Sequence, residues 1–165
     1  MKQQPIHVLN SFPSVDISQV EKDFSEENAG FSHKIVVLDD DPTGIQTVHG
    51  VYVYTDWSKE TLLRAFQDKN SMFFILTNSR SLSRAETSAL HKEIAENLCF
   101  VSEELHKNFL LLSRSDSTLR GHYPLETDIL KNTLETQLHH PLDGEIFCPF
   151  FPEGGRYTLH NIHYV

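Results

Sequence analysis

The chain has 165 residues, 39% hydrophobic and 22% charged, which suits one globular domain or part of a larger one and lies far from the composition of a disordered chain. Fourteen Lys and Arg stand against 23 Asp and Glu, a formal net charge of -9, so nucleic acid is not expected as a partner, because that affinity rests on neutralising many phosphates. The longest apolar runs, 72–76 and 109–112, fall far short of the roughly 20 residues of a membrane-spanning helix, and residues 1–30 lack a signal-peptide core; no membrane partner and a cytoplasmic location are expected.

In chain order, residues 1–33 read as a loosely attached N-terminal arm, with weak helical periodicity around the acidic stretch Glu21 to Glu27. From Lys34 the pattern becomes regular. Short β-branched or aromatic runs at 34–38, 50–55, 72–77, 108–113 and 145–149 are bounded by turn residues and predict buried strands. Helices are predicted between them. Residues 58–68 carry Leu62, Leu63 and Phe66 on one face, and residues 83–107 carry Leu90, Ile94, Leu98, Val101 and Leu105 at spacings of three and four. Ser83 with Glu86 three positions on forms a capping box, in which each side chain satisfies the other's free backbone N–H. A third helix is predicted from about Pro124 to Gln137, with Ile129, Leu130, Leu134 and Leu138 facing the core. Strands alternating with helices predict an α/β fold with a mainly parallel sheet, flanking helices, and ligand loops at the strand C-terminal ends; the ligand-binding domain spans 34–165. Cys99 and Cys148 lie in apolar segments without a CxxC partner and are expected to be core thiols.

Four loops at expected strand ends are unusually polar: DDDPTG, TNSRS, SRSDSTLRGH and FPEGGR. Asp39, Asp40 and Asp41 in a row repel one another unless cations, N–H donors or a ligand offset the charge. They read either as a solvated Asp-Pro turn or as acceptors for ligand hydroxyls, with one able to act as a general base. The third loop holds Arg114, Asp116, Ser117, Thr118, Arg120 and Gly121 ahead of a helix start. It suits a bound carboxylate or phosphate, or else an Arg114–Asp116 pair with a Ser/Thr cap. Asn78, Ser79 and Arg80 supply further donors or a plain helix cap, and Gly154, Gly155 and Arg156 a further guanidinium or a simple hairpin turn. The ten histidines contain no HxxxH or HExxH pair, the seven glycines form neither GxGxxG nor GxxxxGK, and no metal site is expected.

The run KIVVLDDDPTGIQTVHGVYVYT, then FFILTNSRSLS, RSDSTLRGHYPLE and FCPFFPEGGRYTLHNIHYV resembles the N-terminal domain of the four-carbon acid-sugar kinase family, over about residues 34–165. That family includes threonate, erythronate and 3-oxo-tetronate kinases; its N-terminal domain binds the sugar acid and a separate C-terminal domain binds ATP. The resemblance implies catalytic roles for Asp40 and Asp41. It implies substrate contacts from Asn78, Ser79, Arg80, Arg114, Asp116, Ser117, Thr118, Arg120, Gly121, Gly154 and Arg156. ATP and Mg²⁺ are expected mainly through a C-terminal domain that lies outside this chain, which is expected to be truncated and inactive by itself. A small-molecule sugar acid is the expected partner, and the apolar strand-like ending gives reason to expect a homo-oligomer. VVLDDDPT also fits a haloacid-dehalogenase-type phosphatase, with Asp39 as nucleophile, Asp41 as acid/base and Thr77 ending a second motif. A third reading is a sugar-acid-binding module without turnover.

Overall fold

The computed structural model describes residues 5–165, apart from the side chain of Thr47. The chain divides between Ser32 and His33 into two compact units. In the first, a 3-10 turn at Ile6–Ser11 precedes α1 (Ile17–Ala29). Asp16 starts α1: its carboxylate accepts from the amides of Ser18 at 3.0 Å and Gln19 at 3.3 Å, two donors that a helix start leaves without an internal partner. That cap is why the weakly periodic arm contains a full helix.

The second unit runs β1 (Lys34–Asp39), β2 (Tyr52–Tyr54), α2 (Lys59–Gln67), β3 (Met72–Leu76), α3 (Arg84–Leu105), β4 (Phe109–Arg114), α4 (Leu125–Leu138), β5 (Tyr157–Leu159) and β6 (Ile162–Tyr164). The first four strands form an all-parallel sheet in the order β2-β3-β1-β4, and the last two an antiparallel hairpin. The predicted α/β class is the observed one. Ser58 caps α2 by accepting from Thr61, and Ser83 with Glu86 caps α3 as the capping box requires. One face of the sheet builds the core: Val36 and Leu38 of β1, beside Phe73 and Ile75 of β3, pack with Leu62 and Phe66 of α2, Ile94, Leu98 and Val101 of α3, and Leu130 and Leu134 of α4. Side chains alternate along a strand, so Val37 and Asp39 point to the opposite face. Register sets Asp39 beside Leu76 on one neighbour and Arg114 on the other, which brings three strand ends level.

Several expectations fail. Residues 145–149 form no strand and Ile146 is 94% exposed; a short apolar run such as 146–148 can pair only if a neighbour offers its edge, which periodicity does not reveal. Cys148, in that segment, is exposed rather than a core thiol, whereas Cys99 is buried and desolvation pushes its thiol up to about 11. β2 is an exposed edge, with Tyr52 more than half accessible, and Leu138 at the end of α4 is exposed rather than in the core. The strand-like ending forms the β5–β6 hairpin, a pairing outside the expectations; its two connecting residues, His160 and Asn161, both take positive φ, the conformation that a two-residue hairpin turn needs. Among the described residues, no helix is long and apolar enough to cross a membrane.

Candidate functional site

The ends of β1, β3 and β4 are stitched together by backbone before any side chain is considered. The Thr77 amide donates to the Asp39 carbonyl at 2.9 Å, the Arg80 amide to the Asp40 carbonyl at 3.2 Å, and the Asp40 amide to the Arg114 carbonyl at 3.3 Å. Each polar loop therefore leaves its strand already in contact with the aspartate run.

Arg80 is the hub of the side-chain network at this edge. Its Nε donates to Asp40 Oδ2 at 3.0 Å and its Nη2 to Asp40 Oδ1 at 2.7 Å, a two-pronged pairing that only a guanidinium can make. Its third nitrogen, Nη1, pairs with Asp41 Oδ2. The hydrogen bond to Asp40 holds the Arg80 proton more tightly than usual, with both aspartate charges adding to it. Ser115 Oγ donates to Asp40 Oδ2 at 2.8 Å, so Asp40 is held from β3 and from β4 at once. Asp41 is turned further outward. Burial works against its charge, but the Thr43 hydroxyl and amide, and then Arg80, outweigh it and hold its carboxyl below the ordinary range.

Asp39 differs in kind. It is 0% exposed; Oδ1 accepts from Arg114 Nη1 at 3.4 Å, and Oδ2 is buried without a hydrogen-bond partner among the described residues. Burial raises its pKa, Arg114 opposing and the neighbouring aspartates adding to the rise. Gly44 is the reason the loop can close over it: a Cβ there would collide with the Arg114 guanidinium and the Asp39 carboxylate. This burial corrects the phosphatase reading, because a nucleophile beneath Gly44 and Arg114 has no approach for a phosphate ester. Thr77, that reading's second motif, spends its hydroxyl on the Asp39 carbonyl at 2.9 Å.

The loop after β4 is organised by Asp116, whose carboxylate accepts from the Thr118 amide and hydroxyl and from the Arg120 amide and guanidinium. Arg120, and then Thr118, hold its carboxyl well below the ordinary range. The Arg114–Asp116 pair that sequence allows is replaced by Arg114–Asp39 and Arg120–Asp116. Gly121 lies against Ser115 and Asp40, where a Cβ would press on both. Ser117 gives its carbonyl to His163 Nε2 at 2.6 Å, which ties the hairpin to this loop.

Among the expected substrate residues, Ser79 faces inward, 0% exposed, with its hydroxyl given to Glu126 at 2.6 Å. Asn78 takes the left-handed conformation, φ 52, and its side chain donates to Ser81. Gly154 and Arg156 make a turn of their own, in which Phe151 and Arg156 exchange backbone hydrogen bonds at 3.0 and 2.9 Å and the guanidinium lies over the Phe151 ring. The structure thus joins Asp39, Asp40, Asp41, Arg80 and Arg114 in one bonded cluster, with Gly121 against Asp40, while Asp116 and Arg120 pair within their own turn and Arg156 packs within its own loop.

Three residues escape sequence reasoning. Ser115 has no signal beyond its place between Arg114 and Asp116. Glu126 and His91 are each nearly fully buried and carry one: Glu126 stands four before Leu130 and eight before Leu134, and His91 three before Ile94 and seven before Leu98, so both belong to core stripes.

Carboxylate oxygens of Asp39, Asp40 and Asp41 lie within 4.8 Å of one another, a hard-donor set of the type that divalent cations take. Arg80 already occupies Asp40 and Asp41, so the residues present do not fit a metal without losing those pairs. Comparison with curated proteins found no match, and comparison with solved structures found none. The family model of the sugar-binding N-terminal domain matches residues 35–165, from the first residues of β1 through all three loops of the cluster, and the chain belongs to that family.

Proposed function

We propose that this chain is the substrate-binding part of an ATP-dependent kinase that phosphorylates a hydroxyl of a four-carbon sugar acid of the threonate, erythronate or 3-oxo-tetronate type. The observation that carries the reading is the alternation of carboxylate and guanidinium along one edge of the sheet, in the order Asp41, Arg80, Asp40, with Arg114 and Arg120 flanking. A polyhydroxy acid needs that mixture: guanidinium forks for its carboxylate and carboxylates as acceptors for its hydroxyls.

Exposure divides the roles. Arg120 is 71% and Arg114 41% exposed at the side chain, whereas Asp40 is 4% exposed. Arg120 and Arg114 are therefore the guanidiniums free to turn to a ligand carboxylate. Asp41, at 16%, presents a charged carboxylate that accepts the hydrogen of the attacking hydroxyl and orients its oxygen. Its depressed pKa makes it a weak base, which suits phosphoryl transfer, where little deprotonation precedes bond breaking and positioning carries most of the work. Nucleotide and Mg²⁺ are assigned, within the same proposal, to residues outside this chain, since the cluster offers no Gly-rich cradle and its carboxylates are committed to arginine. A cytoplasmic setting and self-association belong to the same proposal.

Titration calorimetry of the chain with threonate and erythronate tests it. Saturable binding that Asp41→Asn and Arg120→Ala each weaken is the expected result. Failure of both sugar acids to bind would overturn the reading.

A further inference from the structure

Beneath the cluster lies a buried polar chain that no part of the proposed reaction uses. Ser79 Oγ donates to Glu126 Oε1 at 2.6 Å, and His91 Nε2 lies 3.7 Å from the same oxygen. On its other side, His91 Nδ1 is 2.8 Å from the Thr87 carbonyl. Ser79 and Thr87 are 0%, His91 1% and Glu126 2% exposed. A carbonyl can only accept, so Nδ1 carries a hydrogen. Nε2 then faces the Glu126 carboxyl across 3.7 Å, and burial favours the neutral imidazole. The other titratable groups that act on His91 are His122, from the loop before α4, and Asp40, at the end of β1.

The pair sits where it can govern the cluster. Asn78 takes the left-handed conformation that asparagine tolerates better than most residues, and Ser79 is the next residue. Arg80, the one after, must deliver its fork to Asp40 and Asp41. Thr77 donates its hydroxyl to the Asp39 carbonyl at 2.9 Å and accepts the Ser79 amide at 3.4 Å, so Ser79 is also tied to the aspartate strand. Glu126 also stands in the first turn of α4, where the helix dipole favours an acceptor carrying negative charge. The contact runs from α4 to Ser79, the residue immediately before Arg80.

We propose that Glu126 and His91 are positioning residues: a buried pair whose carboxyl holds the Ser79 hydroxyl and so aims the Arg80 guanidinium at Asp40 and Asp41. This rests on the reading of the cluster as a sugar-acid site only in what the aimed arginine is for. The variants separate the hydroxyl link from the buried volume. Ser79→Ala removes the link, Glu126→Leu fills the same space without an acceptor, and Glu126→Gln can still accept from Ser79 while its amide donates to Nε2.

The experiment is nitrogen NMR on the labelled chain, reading the His91 ring nitrogens and the Arg80 Nε–H, with threonate calorimetry alongside. Expected are a protonated Nδ1 on His91 and a slowly exchanging Arg80 Nε–H. Ser79→Ala and Glu126→Leu should lose that protection and weaken threonate binding about tenfold, the cost of one buried hydrogen-bond partner, with Glu126→Gln restoring both. An Arg80 signal unchanged in both Ser79→Ala and Glu126→Leu would overturn the proposal. If the chain bound no threonate but the Arg80 signal followed the variants as expected, the functional reading would fall and the positioning role would stand.

Discussion

Arg80 and Arg120 stand on loops from the strand ends on either side of β1 and both pair with aspartate, yet they are held in opposite ways. Arg80 spans two carboxylates of the loop after β1, and its preceding residue, the buried Ser79, is fastened to α4 by its hydroxyl. Arg120 pairs with Asp116 of its own turn, four residues away, and its side chain is largely in water. The same chemical pair is thus a cross-link in one loop and a local clasp in the other. A cross-link fixes geometry and resists exchange for a ligand, whereas an exposed clasp can be traded for a substrate carboxylate at little cost, because water screens what is lost.

The largest effect should come from breaking the cross-link. Arg80→Ala leaves Asp40 buried with Ser115 as its side-chain donor and removes a partner from Asp41. It should cost about 2–4 kcal/mol in urea unfolding, near the range for removing one member of a buried ion pair, and abolish threonate binding. Arg80→Lys should recover little, since an ammonium cannot span two carboxylates with three fixed donors. Near wild-type stability in Arg80→Ala would mean that the three loops are held by backbone alone.

Next in size is Gly44→Ala. The added methyl collides with the Asp39 carboxylate and the Arg114 guanidinium, so the DDDPTG loop must lift, at about 1–3 kcal/mol as for other overpacked sites. On the proposed reading, threonate binding should weaken with it.

Acid should separate the aspartates by sign. Asp116, paired with Arg120, and Asp41, held by Thr43 and Arg80 against the cost of burial, have depressed pKa values in the fold. Their stabilisation is complete above the unfolded pKa of about 4 and is lost as pH falls from there through the folded values. Asp39 has the opposite sign. Burial raises its folded pKa, so its charge costs stability at neutral pH, and that cost is relieved as pH falls through the raised value. Asp116→Asn should therefore flatten the acid limb of the unfolding profile, and Asp39→Asn should raise stability at pH 7 relative to its value at pH 3. A profile of Asp39→Asn parallel to wild type would show that Oδ2 is not the uncompensated charge its burial implies.

How much of the fold and the cluster is legible in sequence depends on the range of the forces involved. Strand and helix identity from 34 to 138 comes through because the apolar spacing reports a core face directly, and the three polar loops come through because parallel strands put their carboxyl ends on one edge. Pairing does not: nothing in the string SRSDSTLRG tells Arg114 to take Asp39 from the next strand and Arg120 to take Asp116, since register decides which carboxylate lies alongside. Ser79 shows the same limit, because its motif predicts a ligand contact and only the packing of α4 turns it inward. Residues 145–149 carry the composition of a strand without a partner edge, and composition cannot supply one.

The smallest structural effect and the sharpest functional one should coincide in Arg120→Ala. Losing an exposed guanidinium should move the urea midpoint less than any variant above, because Asp116 keeps its bonds from the Thr118 amide and hydroxyl and the Arg120 backbone amide, which alone can hold the turn. The ligand would feel it more. If Arg120 leaves Asp116 to grip the substrate carboxylate, its removal takes away a charge-assisted fork that forms only in the complex, and threonate affinity should fall at least tenfold. A neutral analogue, threitol, lacks the carboxylate and should bind Arg120→Ala and wild type alike. The ratio of the two ligands therefore isolates the exchange from any general loosening of the loop. Equal losses for threonate and threitol would make Arg120 a clasp and nothing more, and would move the carboxylate to Arg114, the other exposed guanidinium at this edge.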